Sequence, residues 1–285
     1  MAGKFSFIVL TFNEEQHLPR LLNSIAKLGA PLFILDSGST DQTLKIAADF
    51  GATVKFNAFE NHPKQWDFAL KNFDIESPWI IGLDADQIVT PELFEQLANF
   101  KDDDTYKGIN GIYFNRKNFF KGKWIRFGGY YPKYLLKMFR TGVGFSDTNE
   151  NMDHRFVVPG KTITWKKGHI LEENLKENEI SFWISKHNRY SDLVAEEEVE
   201  RMQALRSQTI KPKLFGDPYQ RMAFLKRMWW NMPRFLRPLL YFGYRMTFQL
   251  GILDGKTGIL FHFLQGFWFR IIVDIKIEEK LKKHD

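Results

Sequence analysis

The first hundred residues alternate between short apolar runs and segments with helical spacing, and this constrains the fold more than any other feature of the chain. The run KFSFIVLTF is rich in β-formers, and LPRLLNSIAKLG then places Leu18, Leu21, Leu22, Ile25 and Leu28 on one helical face before Gly29. Pro19 has no N–H and is tolerated only in a first turn, so this helix starts between Glu15 and Leu18. PLFILD, a turn SGST with a Ser39 or Thr40 cap, the helix DQTLKIAADFG closed by Gly51, and ATVKFN repeat the unit. WIIGL makes a fourth strand, and Thr90 with Pro91 opens the helix PELFEQLANF. Such alternation with short loops implies parallel strands and right-handed crossovers. Ligands then sit at the carboxyl ends of the strands.

The loops at those ends carry Thr11 and Asn13, then Asp36, then Asp84 and Asp86, so all five are expected on one rim. Residues i and i+2 of an extended segment face the same way, which lets Asp84 and Asp86 address one point. A hard cation such as Mg²⁺ or Mn²⁺ takes oxygen ligands and completes its shell with water and substrate phosphates. An Asp-x-Asp in a surface loop is by itself ordinary; the apolar strand before it and the convergent Thr11 and Asp36 loops favour a functional reading. The chain has no G-x-G-x-x-G and no G-x-x-x-x-G-K-[ST], so it carries neither a dinucleotide fingerprint nor a P-loop.

FIVLTFNEEQHL, FILDSGSTDQT and WIIGLDADQ, in this order, resemble the three N-terminal motifs of family 2 (GT-A fold) inverting glycosyltransferases. The similarity covers the first hundred residues. NENMDHRFVVPGK and FWISKHNRYS are more loosely similar to the bacterial subgroup that includes lipopolysaccharide-core β-1,4-glucosyltransferases. The resemblance implies an α/β fold with a mostly parallel, Rossmann-like sheet flanked by helices. It implies a metal-dependent inverting transfer of a hexose from a nucleotide sugar, expected to be a UDP-sugar, to a hydroxyl of a lipid-linked glycan or lipopolysaccharide core. Carried over, it places Thr11, Asn13 and Glu15 along the nucleotide pocket and has Asp36 accept a hydrogen bond from the base. Asp84 falls near the ribose, and Asp86 beside it binds the Mn²⁺ or Mg²⁺ that bridges the diphosphate. Phe12 replaces a Tyr common in the family and Ser37 a second Asp, departures that bear on which nucleobase is preferred.

An inverting transfer needs one carboxylate to deprotonate the acceptor. The family supplies it from an acidic motif after the metal site, which Asn151 interrupts here, so the role falls to Asp153, slightly favoured, or Glu150. Either can equally well cap the next element. His154, His169 and His187 read as structural hydrogen-bond partners.

The resulting division is a catalytic domain over 1–210, with a nucleotide half 1–104 and an acceptor half 105–210, and a helical tail over 211–285. The tail holds 14 Lys and Arg against 6 Asp and Glu, whereas the remainder has 26 against 28. Basic and aromatic together suggest peripheral contact with the inner face of the cytoplasmic membrane, because the longest uncharged run, Thr257 to Phe269, is short of the roughly 20 residues that span a bilayer. Packing of these aromatics onto the domain or a partner is the competing reading. Nucleic acid fits poorly with runs such as GILFHFL. The absence of cysteine excludes disulfides and thiolate metal sites and suits a reducing compartment, and the short N-terminal apolar run gives no expectation of a secretory signal. Nothing in the sequence sets an oligomeric state. Two rivals remain: a transferase of the same fold acting on a polyprenyl phosphate, and a catalytically silent membrane scaffold.

Overall fold

The apolar runs of the first hundred residues form the parallel heart of one sheet. In the computed structural model, which describes residues 3–148, 154–203 and 210–282, strands β1 (Ser6–Thr11), β2 (Leu32–Asp36), β3 (Thr53–Phe56) and β4 (Trp79–Asp84) lie in the order β3-β2-β1-β4, all parallel. Helices α1 (Leu18–Ile25), α2 (Thr43–Asp49) and α3 (His62–Asn72) connect them. β1 is buried along its whole length, as a strand covered on both faces must be, which is why it reads as an unbroken apolar run. β5 (Gln87–Val89) and α4 (Pro91–Ala98) follow.

The helix starts differ from the sequence reading in one respect. Neither Ser39 nor Thr40 caps α2. The Asp41 carboxylate takes the Thr43 N–H at 2.9 Å and its hydroxyl at 2.5 Å, because Ser39 and Thr40 are engaged by Asp36 and Asn13. Thr90 precedes α4 as expected, with its hydroxyl accepting the His169 N–H at 3.0 Å.

Beyond residue 105 two of the β-like runs become long strands and the rest remain short. β6 (Ile109–Phe120), β7 (Lys123–Ile125), β8 (Lys133–Arg140), β9 (Phe145–Ser146), β10 (Phe156–Val157), β11 (Lys161–Thr164) and β12 (Ile170–Glu172) complete the strands. β8 joins β4 to β6 by antiparallel pairing, β12 and β11 run parallel to β6, and β5 closes antiparallel on β12. The sheet is therefore mixed, with β3-β2-β1-β4 as its longest all-parallel stretch, and the α/β class implied by the resemblance holds. One apolar core, with Phe7, Leu21, Ile34, Trp79, Leu93, Ile112 and Met138, ties helices to sheet.

The described residues fall into two compact units: 3–119 with 132–148 and 154–175, and 120–131 with 176–203 and 210–282. This line differs from the boundary expected at residue 210. Helix α5 (Ile180–Met202) belongs with the tail because Ala195 and Val199 share a core with Phe269, Val273 and Ile277. The second unit continues with α6 (Pro218–Trp230), capped by the Asp217 side chain on Tyr219 and Gln220 N–H groups, then α7 (Leu236–Met246), α8 (Gly255–His262) and α9 (Phe269–Lys282). A π-helical stretch, Phe263–Trp268, joins α8 to α9. The helix is continuous from Gly251 to Lys282, 32 residues, and by length and composition alone it suffices to cross a membrane; 44% of its most apolar window is buried. The uncharged 13-residue run of the sequence thus understates it, since Arg270 interrupts the run without interrupting the helix.

Candidate active site

The rim is built by strand register. Thr11 lies opposite Asp36 across β1 and β2, and Leu10 lies opposite Asp84 across β1 and β4. Adjacent strands stand about 4.8 Å apart, so three neighbouring strand ends bring these loops together.

The loops after β1 and β2 are zipped to each other. The Thr11 hydroxyl donates to Asp36 Oδ1 at 2.8 Å, and the Asn13 N–H donates to the Ser39 hydroxyl at 2.8 Å. Asn13 in return accepts the Thr40 N–H at 2.8 Å, the Glu14 N–H donates to the Thr43 hydroxyl at 2.7 Å, and Glu15 accepts the Gln42 N–H at 3.1 Å. Asn13 adopts φ 55°, a left-handed conformation that asparagine tolerates better than most residues. Asp36 sits at the centre, 1% exposed. Its Oδ1 also accepts the Ser39 hydroxyl at 2.5 Å, and its Oδ2 accepts the Gly38 and Ser39 N–H groups at 2.8 and 2.7 Å. Four donors fill the capacity of a carboxylate. The side chain that the resemblance turns toward a nucleobase thus ties the Thr11 hydroxyl to residues 38 and 39 of its own loop.

Asp84 ends β4 with one oxygen satisfied and one not. Oδ2 accepts from the Lys137 ammonium of β8 at 2.8 Å, and Lys137 is itself buried. Oδ1 is enclosed and accepts no hydrogen bond; His62 Nε2 lies 3.6 Å from it. Burial alone raises a carboxyl pKa, but Lys137, through its charge and its hydrogen bond and with His62 behind it, outweighs that and holds Asp84 well below the usual carboxylate range. The Asp84 N–H donates to Gln87 Oε1 at 3.1 Å, and Gln87 Nε2 donates to Glu172 at 2.9 Å. Glu172 also pairs with Arg116 at 2.6 Å. Against its burial, Arg116 keeps Glu172 ionised. Asp86 lies two residues beyond Asp84 in the turn between β4 and β5, and its carbonyl accepts the Glu173 N–H at 3.1 Å.

The neighbouring wall is aromatic. His154 stacks on Trp66 with ring centroids 5.1 Å apart and meets Phe156 and His62 edge-on at 4.2 and 5.6 Å. Burial, reinforced by His62 and Lys137, pushes the His154 imidazole well below the usual histidine range, so it stands neutral. Its Nδ1 lies 3.3 Å from the Ser146 hydroxyl, and Nε2 is buried without a hydrogen-bond partner. Gly82 of β4 makes room for this wall, since a Cβ there would lie 2.5 Å from the Phe156 ring.

The structure thus gathers Thr11, Asn13, Glu15, Asp36 and Asp84 at one rim, with Asp86 in the adjoining turn. Glu150 and Asp153 lie outside the described residues. His62, Lys137 and Glu172 belong to the site and are absent from the sequence reading; a lysine inside the apolar strand YLLKMFR is the one signal that pointed to a buried partner. Among the described residues no cluster of three or more acidic or histidine side chains is placed to enclose a cation. An orphaned, ionised carboxylate oxygen nevertheless fits a divalent ion of the kind held by one or two carboxylates and completed by substrate phosphates.

Parallel strand ends carrying acids on a Rossmann-like sheet, with β5 folding back after an Asp-x-Asp, make this a GT-A type glycosyltransferase domain. The chain belongs to glycosyl transferase family 2, whose profile matches residues 6–154, from the start of β1 to His154. Among curated relatives, a glycosyltransferase of Rickettsia bellii is 31% identical over 97 residues, 34% of this chain and 32% of the relative. The poly(ribitol-phosphate) beta-N-acetylglucosaminyltransferase TarS of Staphylococcus aureus is 32% identical over 126 residues, 38% of this chain and 22% of TarS. The chain spans about a third or less of the length of these relatives. Among solved structures, S. aureus TarS 1–349 with UDP is similar at 16% identity and a TM-score of 0.44, covering 99% of this chain and 92% of that one. Glucosyl-3-phosphoglycerate synthase of Mycobacterium tuberculosis with Mn²⁺, UDP and phosphoglyceric acid is similar at 24% identity and a TM-score of 0.31, over 42% of this chain and 44% of that one.

Proposed function

We propose that this glycosyltransferase moves a hexose from a nucleotide sugar, a UDP-sugar by the motifs, to a hydroxyl of a glycan acceptor with inversion at the anomeric carbon. The observation that carries the reading is the Asp84 carboxylate. It is held ionised by Lys137 yet keeps one enclosed oxygen unpartnered, at the end of a strand flanked by the zipped Thr11 and Asp36 loops. Asp84 and Asp86 would hold Mn²⁺ or Mg²⁺, which when bound neutralises the diphosphate and eases its departure. The zipped loops shape the nucleotide pocket without their side chains having to move. In the transfer, the acceptor oxygen forms a bond to the anomeric carbon, the bond from that carbon to the diphosphate oxygen breaks with its electron pair, and the acceptor proton passes to a carboxylate. Asp153, or else Glu150, is proposed for that base. The looser likeness around residues 149–190 supports a lipopolysaccharide-core or lipid-linked acceptor, and the poly(ribitol-phosphate) in the name of TarS is consistent with a hydroxyl-bearing polymer as acceptor.

Calorimetric titration of UDP into the protein with Mn²⁺ tests the reading. Binding that needs the cation and is lost in Asp84→Asn and Asp86→Ala supports it, and absent binding in the wild type overturns it in favour of a silent scaffold. A thermal-shift screen of UDP- and GDP-sugars then identifies the donor. Near-normal turnover in both Asp153→Asn and Glu150→Gln would transfer the acceptor assignment to a polyprenyl phosphate, whose own acidity lessens the need for a base.

A further inference from the structure

Helix α7 is turned inside out relative to a water-facing helix. Its two arginines are on the inner side: Arg237 is 1% and Arg245 2% exposed. Arg237 donates through Nε to Asp274 at 2.8 Å and through Nη2 to Glu198 at 2.9 Å. Arg245 donates through Nε to the Gly128 carbonyl at 2.8 Å and through Nη2 to His262 Nδ1 at 3.1 Å. The side chains at helical spacing on the opposite face are Leu236, Leu239, Leu240 and Tyr244, all between 45 and 55% exposed. An ordinary amphipathic surface helix places these two classes the other way round. The apolar face continues into Phe248, 82% exposed, just beyond the helix.

Backbone conformation fixes this orientation. Phe235, immediately before α7, has φ 62°, a costly conformation for an aromatic residue, and its N–H is held by Asp274 at 2.9 Å. The same buried Asp274 thus anchors both the strained entry and the first inward arginine, and the leucines are left facing out.

Charge identifies what this face meets. From 211 to 256 the chain has nine Lys and Arg against two Asp. Arg237, Arg245 and Asp254 are buried, and Asp217 caps α6, so the outer surface carries cations such as Arg221, Arg227, Arg234 and Lys256 with no comparable acid. Two copies of such a face would set like charges against each other, which disfavours a symmetric dimer through it. Exposed apolar side chains on a segment whose exposed charges are cations, with Arg234 exposed two residues before α7, match the headgroup boundary of an anionic bilayer.

We propose that the outward face of α7 and the turn after it is a bilayer-docking surface for anionic membranes, lying in the headgroup region and not crossing it. The internal ion pairs of Arg237 with Asp274 and Glu198, and the Arg245–His262 contact at 3.1 Å, anchor the long C-terminal helix within its own unit and suit a helix bundle resting on a membrane better than a lipid-surrounded span. The inference is independent of the transfer reaction, because its readout is lipid and not turnover.

The test uses the full chain and sedimentation with vesicles, either phosphatidylcholine alone or phosphatidylcholine and phosphatidylglycerol in equal parts. Binding should be strong to the mixed vesicles and weak to the neutral ones. Leu239→Glu with Leu240→Glu, exposed positions whose folding is checked by circular dichroism, should weaken it by about a hundredfold or more. Arg234→Glu should weaken it by roughly fivefold or more. A wild type that binds neither vesicle, or glutamate variants that bind as well as wild type, overturns the proposal. So does protein that resists extraction from membranes by alkaline carbonate, which marks a span, or a concentration-dependent dimer that the same leucine variants dissociate, which marks a second copy as the occupant.

Discussion

The Lys137 ammonium lies 2.8 Å from one oxygen of Asp84 while the other oxygen, enclosed beside His62, accepts no hydrogen bond. A lysine this buried persists only with a partner, and a carboxylate with one undonated oxygen keeps acceptor capacity to spare. The pair therefore serves two ends that pull apart: Lys137 stabilises Asp84 in the fold and competes with any cation for it.

Replacing Lys137 separates them. Lys137→Met keeps the apolar stem and removes the charge, leaving Asp84 uncompensated, and stability should fall by about 2–4 kcal/mol, below the range for a fully buried pair because Asp84 is 27% exposed. The affinity for Mn²⁺ in the presence of UDP should rise in the same variant. Denaturant unfolding measures the first and calorimetry the second; a loss of both would show that Lys137 contacts the nucleotide instead.

Asp36 makes a different prediction. Asn can accept at one oxygen only and presents an NH₂ group to donors, so Asp36→Asn breaks contacts to the Gly38 and Ser39 amides or to the Thr11 and Ser39 hydroxyls. A loss of about 2–4 kcal/mol is expected, against about 1 kcal/mol for Thr11→Val, which removes one hydrogen bond. Hydrogen exchange should quicken at the Gly38 and Ser39 amides. UDP affinity should fall in step with loop order, so cooling or a stabilising osmolyte should restore part of it; a complete loss with protected amides would mean a direct contact with the base.

Much of this was legible in the sequence. β1, β2 and β4 are covered on both faces, and their apolar runs mark their limits to within a residue or two. The rim followed from topology, since parallel strands deliver their carboxyl ends to one edge. α3 was not legible: its buried residues are Pro63, Gln65, Trp66 and Ala69, a mixture without a clear apolar stripe. The loop zipper was hidden because its partners stand 25 to 29 residues apart and Ser, Thr, Asn and Asp serve equally well as ligands or as loop ties. α7 misled in the opposite sense, since its arginines suggest a solvated side and are the buried ones.

Gly82 shows how a weak strand residue can be required by packing. Glycine loosens a strand, yet a methyl at this position would meet the Phe156 ring at 2.5 Å and Trp66 at 3.2 Å. Gly82→Ala should cost about 1–3 kcal/mol as an overpacked site. Both rings support His154, so turnover should fall more than stability alone accounts for, and the aromatic circular dichroism of Trp66 should change. An alanine variant with wild-type spectrum and activity would mean the wall yields freely.

Two histidines of the second unit add to the acid sensitivity that buried, neutral His154 gives the first. Burial lowers the His187 pKa, with Glu177 working against it and Lys186 with it, while the ring stacks on Trp183 with centroids 3.7 Å apart. Burial and then Arg245 lower that of His262, opposed by Asp254. Since arginine only donates, His262 Nδ1 accepts from Arg245 and Nε2–H donates to Asp254, which fixes a neutral ring. Both groups thus bind fewer protons folded than unfolded below the unfolded pKa of about 6.5, so their contribution is complete above that pH and declines as pH falls toward the folded values. Each can remove up to about 1.4 kcal/mol per pH unit in that window. Urea midpoints should drop between about pH 7.5 and about pH 5.5, and His187→Asn and His262→Asn should each flatten part of the slope while lowering the plateau. A midpoint that holds steady across that interval in the wild type would require both rings to be charged in the fold, which the Arg245 contact forbids for His262.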